Sequence, residues 1–474
     1  MNATTAEGAE PALTYQSDRA FLGHPRGLGY LSFAEAWERF SYYGMATLLA
    51  LYGAKQLFQP GHIEHIWGFP PFRHMLEGLF GPLTPLTMGG AIAGLYGGLV
   101  YLTPLVGGAV ADRWIGRTRA VIFGAVTMSF GHFFMAFDQT FLLALACLLV
   151  GVGFFKGNIA AQVGDLYAPG DLRRADAFQI FMIGIQIAVI AAPIVCGFLG
   201  QRVAWHFGFG AAGVGMLIGL VVYLSGRRWL PAEPAPRHKG GIVEKRPKLA
   251  AGEGMRVLVL ALLVPVLSLT AIGNQQLFAA YELWGDQHYQ LSFFGWSMPS
   301  TFLISLDAIV STVTMAGSVI FWRWWGTRFT EPDEITKLTI GAFIAALGPL
   351  TLALASLHEA VTGEKVSLAW GLAFHILNDI GFANIFPVGL ALYSRVAPKA
   401  IAATLMAVYY INLFVAGLIV AKLASLLGTM SGFAFWGMHA ALVAGGGVVL
   451  LIVRGAAGRL LAPTVDPEAE AEAA

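Results

Sequence analysis

Apolar runs of roughly 20 residues, the length a helix needs to cross a bilayer, recur twelve times along the 474-residue chain. Their centres lie near Leu48, Tyr96, Thr127, Leu148, Ile187, Leu217, Leu267, Val310, Ala345, Gly381, Phe414 and Val448. In hydrocarbon a backbone must satisfy its own polar groups, and runs of this length do so as helices, so an all-α membrane protein is expected. Composition agrees: 57% of residues are apolar and 12% charged, and mean hydropathy is +0.66. That balance departs from a soluble domain. A net charge of +1 gives no field for nucleic acid. Cys147 and Cys196 lie in apolar runs and are expected to be buried hydrophobes, without a disulfide or metal role.

Lys and Arg are retained on the cytoplasmic side of membrane loops. With both termini cytoplasmic, 22 of the 29 fall in inner segments, four outside (Lys55, Arg73, Arg202, Lys365) and three within spans (Arg39, Lys156, Lys422). A missed or invented span would reverse every later loop and erase this bias, so twelve spans are expected. Residues 1–28 lack the order of a cleaved leader and are expected to form a cytoplasmic segment. Residues 226–255, rich in Pro, Gly and charge, read as a cytoplasmic linker between six-helix bundles at 29–225 and 256–456. Residues 457–474 form an acidic C-terminal tail, whose stretch from Asp466 is expected to be disordered. The outer connection, 53–85, carries aromatics and prolines and is expected to form a partly ordered cap. Overall the chain reads as a multi-pass protein of the cell (inner) membrane.

Two motifs carry charge where a membrane protein can ill tolerate it. Between the second and third spans runs Gly107-Gly108-Ala109-Val110-Ala111-Asp112-Arg113-Trp114-Ile115-Gly116-Arg117. Its glycines allow close helix approach, while Asp112, Arg113 and Arg117 can pair or cap helix ends around Gly116. The first span contains Glu35-Ala36-Trp37-Glu38-Arg39-Phe40-Ser41-Tyr42-Tyr43-Gly44. Glu35, Glu38 and Arg39 stand at i, i+3 and i+4, on one helix face, with Glu35 placed to pair with Arg39. Each such group at membrane depth costs roughly 2.5–3.5 kcal/mol. One arginine cannot neutralise two carboxylates, so one of them is suited to take and release a proton near neutral pH. Lys156, alone in an apolar helix, also needs a carboxylate, and the first span offers two.

The Asp112 loop resembles the G-x-x-x-D-R-x-x-G-R signature of the major facilitator superfamily. The first-span run resembles the E-x-x-E-R-F-x-Y-Y-G motif of its proton-dependent oligopeptide transporter (POT/PTR) family. The likeness continues through Tyr96-Gly97-Gly98-Leu99-Val100-Tyr101-Leu102-Thr103-Pro104, Phe154-Phe155-Lys156-Gly157-Asn158-Ile159 and Trp205-His206-Phe207-Gly208-Phe209-Gly210. It implies the major facilitator fold, twelve transmembrane helices in two six-helix bundles. It implies proton coupling by Glu35, Glu38 and Arg39, with Lys156 as their partner, and a peptide cavity lined by Tyr42, Tyr43 and Tyr96.

The chain is a divergent member on this reading. Gln186 replaces an asparagine in the fifth span, Gln275-Gln276, preceded by Asn274, stands where the family has a glutamate and glutamine, and Phe382 replaces a tenth-span glutamate, with Asp379 one turn earlier. Ala46 takes the place of a first-span arginine that pairs, in the family, with the seventh-span glutamate. Ser305-Leu306-Asp307 stands for S-L-N. Gln186, Asn274, Gln275, Asp307 and Asp379 are therefore carried as substrate-binding candidates. Asp307 and Asp379, taken as the carboxylates of the second half's spans, would face a peptide's amino end, and Arg39 and Lys156 its carboxyl end. Each aspartate also reads as a helix-packing group. His132, His375 and His439 have no partner visible in the sequence and read as packing residues.

The resemblance implies proton-coupled uptake of di- and tripeptides by alternating access, without a cofactor other than the proton as coupling ion. The expected partners are a peptide substrate and the lipid bilayer, with no nucleic acid, in a functional monomer. Transport of another small solute and a non-transporting peptide receptor remain as alternatives. No nucleophile with its base and no metal-ligand cluster stands out, so an enzyme is not expected.

Overall fold

A computed structural model of the chain describes residues 18–168, 171, 173–230, 253–398 and 401–461. Residues 1–17, the linker from 231 to 252 and the tail from 462 lie outside the described residues. Twelve helices of 18 or more residues are described: α1 (Arg26–Tyr52), α2 (Pro85–Val110), α3 (Arg117–Phe134), α4 (Phe141–Asp165), α5 (Arg173–Phe198), α6 (Trp205–Gly226), α7 (Glu253–Thr270), α8 (Phe302–Gly326), α9 (Glu334–Thr362), α10 (Leu368–Val396), α11 (Ala402–Ala424) and α12 (Gly432–Leu461). Each of the twelve expected centres falls in a different one. Ten are long and apolar enough to cross a membrane. The other two are α1, which carries the first-span charges, and α3, which opens on Arg117 and Arg119.

Local chemistry explains where several helices begin. Thr84 caps α2 in a reciprocal box: its Oγ1 accepts from Thr87 N (3.3 Å) while Thr84 N donates to Thr87 Oγ1 (2.9 Å). Asp333 caps α9 by accepting from Thr336 N at 2.9 Å. α1 is preceded by an ordered strap in which the Asp18 carboxylate accepts from Ala20 N (3.0 Å) and Arg26 N (2.9 Å). His24 Nδ1 lies 2.9 Å from the Tyr167 hydroxyl. Burial, reinforced by Arg173, holds the His24 pKa below its ordinary value.

Contacts divide the chain into two units, Met1–Ile242 with Leu291–Ala308, and Val243–Gln290 with Ile309–Ala474. In the first, α1 packs on α2, α5 and α6, and α4 packs on α2 and α3. Glycines make these approaches possible. A Cβ on Gly107 of α2 would stand 2.1 Å from the Gly153 carbonyl oxygen of α4, and one on Gly124 of α3 would stand 2.6 Å from that of Gly151. Leu291–Ala308, although in the second half of the sequence, belongs by contact to this unit. Gln201 Nε2 donates to Ser300 Oγ (2.8 Å) and Ser305 Oγ donates to the Ile190 carbonyl (2.7 Å).

In the second unit, α9 packs on α10 and α12, and α7 on α11 and α12. The segment after α7 is broken. A short turn, Ile272–Gln275, is followed by a π-helical turn, Leu277–Tyr281, and then by a helix, Glu282–His288. Ala279 departs from helical geometry at φ −122°, ψ −106°. The break frees a backbone donor that a side chain satisfies, since Ala280 N donates to Gln276 Oε1 at 3.1 Å.

The tight α2–α4 crossing gives a direct test. Gly107→Ala should lower the thermal stability of the purified protein, because overpacking costs about 1–3 kcal/mol. Gly97→Ala, on the same helix but with no atom within 4 Å of the added carbon, serves as the control. Indistinguishable melting curves for the two variants would mean that α2 and α4 do not approach this closely.

Candidate functional site

The charged cluster of α1 is buried as a unit. Glu35 is 3% exposed, Glu38 0% and Arg39 4%. Arg39 Nε lies 3.2 Å from Glu35 Oε1, the expected i,i+4 pair, and 2.5 Å from Glu38 Oε2. One guanidinium nitrogen thus serves both acids. The remaining oxygens, Glu35 Oε2 and Glu38 Oε1, and Arg39 Nη2 are buried with no hydrogen-bond partner among the described residues. A carboxylate oxygen in that position is costly when charged and much cheaper when its group carries a proton.

Lys156, on α4, lies within electrostatic reach of Glu35, Glu38 and Arg39. Its Nζ stands 4.8 Å from the centre of the Tyr101 ring, a cation–π contact. Among the described residues no ion pair within 4.0 Å joins it to either glutamate. The guanidinium of Arg39 in turn faces the Tyr42 ring at 5.2 Å. Tyr42 stacks on Tyr96 with ring centres 6.4 Å apart and meets Tyr43 edge-on at 5.0 Å. The buried Tyr96 hydroxyl has no hydrogen-bond partner among the described residues. The structure therefore gathers six of the expected residues, Glu35, Glu38, Arg39, Tyr42, Tyr43 and Tyr96, in one region and sets Lys156 beside them. Of the others in this unit, Gln186 is half-buried on α5, and Asp307, near the start of α8, is 8% exposed.

The residues of the Asp112 motif form the α2–α3 turn. Residues Ala111–Ile115 make a π-helical turn that ends at Gly116, whose φ of +81° is one a side chain would resist. Arg117 reaches both Asp112 (3.6 Å) and Asp165 at the end of α4 (2.5 Å), while Arg113 is exposed.

The second unit holds a polar site that the sequence reading largely missed. Gln276, fully buried in the broken segment, donates from Nε2 to His439 Nε2 at 2.8 Å, and His439 Nδ1 donates to the Phe435 carbonyl at 2.8 Å. The Tyr281 hydroxyl lies 2.8 Å from His375 Nε2. Asn378 Nδ2 donates to Asp379 Oδ1 at 3.1 Å, and the Gly273 backbone abuts the Asn378 side chain. His375, Asn378 and Asp379 occupy i, i+3 and i+4 on α10, a face packed against the broken segment. His375 and His439 are buried and satisfied by partners near the break, Tyr281 and Gln276. One expectation needs correcting. The buried carboxylates of the second half also include Glu282, 0% exposed, because the break carries it inside where a continuous reading of the sequence leaves it near a span end. Asn274 and Gln275 are half-buried, and Gln275 Nε2 donates to the Leu413 carbonyl at 3.3 Å.

Comparison with known proteins places this geometry. Residues 118–246 match the PTR2 family model, described as the POT family. An uncharacterized transporter of Bacillus subtilis, YclF, is 28% identical over 92% of the chain and 94% of its own length. A di-/tripeptide transporter of Lactococcus lactis is 27% identical over 93% of the chain and 97% of its own. A crystal structure of a POT peptide transporter in complex with alafosfalin superposes with a TM-score of 0.80 at 28% identity, covering 94% of the chain and 98% of that protein. In its two motifs, its helical fold and these likenesses along most of its length, the chain is similar to transporters of the POT family.

Proposed function

We propose that the protein takes up di- and tripeptides by symport with protons, alternating between outward-open and inward-open states. The observation that carries this reading is the α1 cluster, with its two buried glutamates sharing one arginine nitrogen and an orphaned oxygen on each acid. Protonating one glutamate relieves the surplus negative charge beside Arg39 and frees part of the guanidinium for another anion. A peptide carboxylate is such an anion, and Lys156 supplies a second positive centre nearby. Proton binding and substrate binding then favour one another, which is what coupling requires. The stacked Tyr42 and Tyr96 provide an apolar wall with a polar rim for a peptide backbone.

On this reading the proton is the coupling ion and no other cofactor takes part. The protein works as a monomer in the cell (inner) membrane, with both termini in the cytoplasm. Asp379 and Asp307 hold the peptide's amino end, and Gln186, Asn274 and Gln275 contribute neutral polar contacts.

Proteoliposomes test the driving force. Glu35→Gln and Glu38→Gln should reduce accumulation of a dipeptide under an imposed proton gradient while leaving counterflow exchange comparatively intact. Exchange needs the loaded carrier to reorient, whereas accumulation also needs the proton to leave. Full gradient-driven uptake by both variants would remove the cluster from the coupling mechanism. Lys156→Ala should abolish driven uptake, and Lys156→Arg should not restore it fully, because a planar, permanently charged guanidinium cannot replace a compact amine that can give up its proton. Wild-type uptake by the alanine variant would reduce Lys156 to a structural role.

Substrate polarity is tested separately. Asp379→Asn should weaken competition by peptides with a free amino group more than competition by amino-blocked analogues. Equal losses for both would assign Asp379 to packing.

A further inference from the structure

The connection from α1 to α2 is ordered and firmly attached. The Tyr52 hydroxyl, at the end of α1, donates to Asp138 in the α3–α4 turn, and His62 Nδ1 lies 2.7 Å from the other oxygen of that carboxylate. Trp67 N donates to the Gln139 carbonyl at 3.0 Å. Phe58 stacks on Phe69 (5.4 Å) and meets Phe141 of α4 edge-on (5.7 Å). These contacts fix the helix Phe69–Phe80 in place and settle which way each of its sides faces.

At 100° per residue that helix has three distinct sides. Phe69, Leu76 and Phe80 form the buried one. One flank carries Phe72, Met75 and Leu79 at i, i+3 and i+7, with Met75 48% and Leu79 63% exposed. The opposite flank carries Arg73, His74 and Glu77, with Arg73 Nε 2.9 Å from Glu77 Oε1. Immediately before the helix, Trp67 is 66% exposed.

We propose that this helix is an interfacial membrane anchor, with Trp67, Met75 and Leu79 set into the boundary between headgroups and acyl chains and Arg73, His74 and Glu77 facing water. Three observations select lipid as the occupant. Only residues 81–84 separate the helix from Pro85, the first residue of α2, so it sits at the level where a span enters the bilayer. Trp67 is tied to Gln139, beside the exposed Phe137, and the neighbouring helices α3 and α4 expose Phe130, Phe133 and Leu143. Trp67 is thus joined through the backbone to the turn between two spans that expose apolar side chains. Polar and apolar flanks also lie on either side of the buried stripe, the arrangement of a helix lying along an apolar–aqueous boundary. The anchor holds to the membrane surface the end of the same helix that carries Glu35, Glu38 and Arg39. This inference rests on the membrane fold and not on the transported substrate.

Single cysteines at Met75, Leu79 and His74 test it, in the chain with Cys147→Ser. The fully buried Cys196 stays in place. Each is spin-labelled and reconstituted in phosphatidylcholine–phosphatidylglycerol vesicles, and collisions with oxygen, which partitions into lipid, are compared with collisions with a water-soluble nickel chelate. Labels at Met75→Cys and Leu79→Cys should show a severalfold higher ratio of oxygen to nickel accessibility than the label at His74→Cys. Equal ratios at all three positions would overturn the proposal. A label at Leu79→Cys shielded from both reagents, with dipolar broadening between molecules, would overturn it in favour of a second copy of the chain. Neither readout involves transport, so failure here and failure of the transport reading are distinguishable.

Discussion

Glu35, Glu38 and Arg39 lie in a helix that must exist inside a membrane, and their charge is tolerable only if lipid never touches it. The packing of α1 answers that requirement. Nineteen of its 27 residues are buried, whereas α5 exposes Met182, Ile183 and Ile187 and α8 exposes Ile309, Val313 and Ile320. The neighbours come close because they present glycine. A Cβ on Gly89 of α2 would stand 2.6 Å from the Ala50 carbonyl oxygen, one on Gly215 of α6 2.8 Å from Phe40, and one on Gly219 3.2 Å from the Ala34 carbonyl oxygen. The small residues of α2 and α6 thus serve the chemistry of α1. They exclude lipid from its polar face, and in the low dielectric they create, each proton gained or lost has a large effect.

The second unit solves a related problem with neutral groups. Breaking the helix after α7 leaves backbone donors inside the fold, and Gln276 is suited to the site because its amide offers an acceptor and a donor at once. The acceptor takes Ala280 N and the donor engages His439, whose other nitrogen is committed to Phe435. That commitment fixes His439 as the Nδ1–H tautomer. A glutamate at 276 could not donate to this nitrogen, and an alanine would leave both partners unsatisfied.

What could be read from the sequence follows from the range of each signal. Helix positions were legible because hydropathy is a local property of about 20 residues, and the charge face of α1 was legible because i, i+3 and i+4 spacing fixes direction within one helix. The break after Thr270 was not, since Ala279 is an ordinary helix former and its unusual dihedrals are imposed by packing. With the break went the burial of Glu282 and the Gln276–His439 and Tyr281–His375 pairs, whose members lie 163 and 94 residues apart. The affiliation of Leu291–Ala308 with the first unit was equally hidden. It rests on Gln201 and Ile190 meeting Ser300 and Ser305 across about a hundred positions of chain. Lys156 was expected beside a carboxylate from charge alone, whereas its closest described contact is the face of Tyr101, a residue that spacing did not single out.

The same reasoning makes sense of the two positions at which the chain departs together from the motifs of the POT family it resembles. Ala46 is 5% exposed in the packed face of α1, and Gln275 is satisfied within its own unit by the Leu413 carbonyl on α11. Neither position carries a charge, and neither leaves one stranded. An arginine at 46 without an acid partner, or a glutamate at 275 facing a carbonyl oxygen, would each bury an uncompensated charge at a cost of about 3–5 kcal/mol. Losing both is therefore energetically simpler than losing one. It leaves Glu35, Glu38 and Arg39 gathered in a single turn of α1 with Lys156 beside them, and Asp307 of the same unit buried near the start of α8.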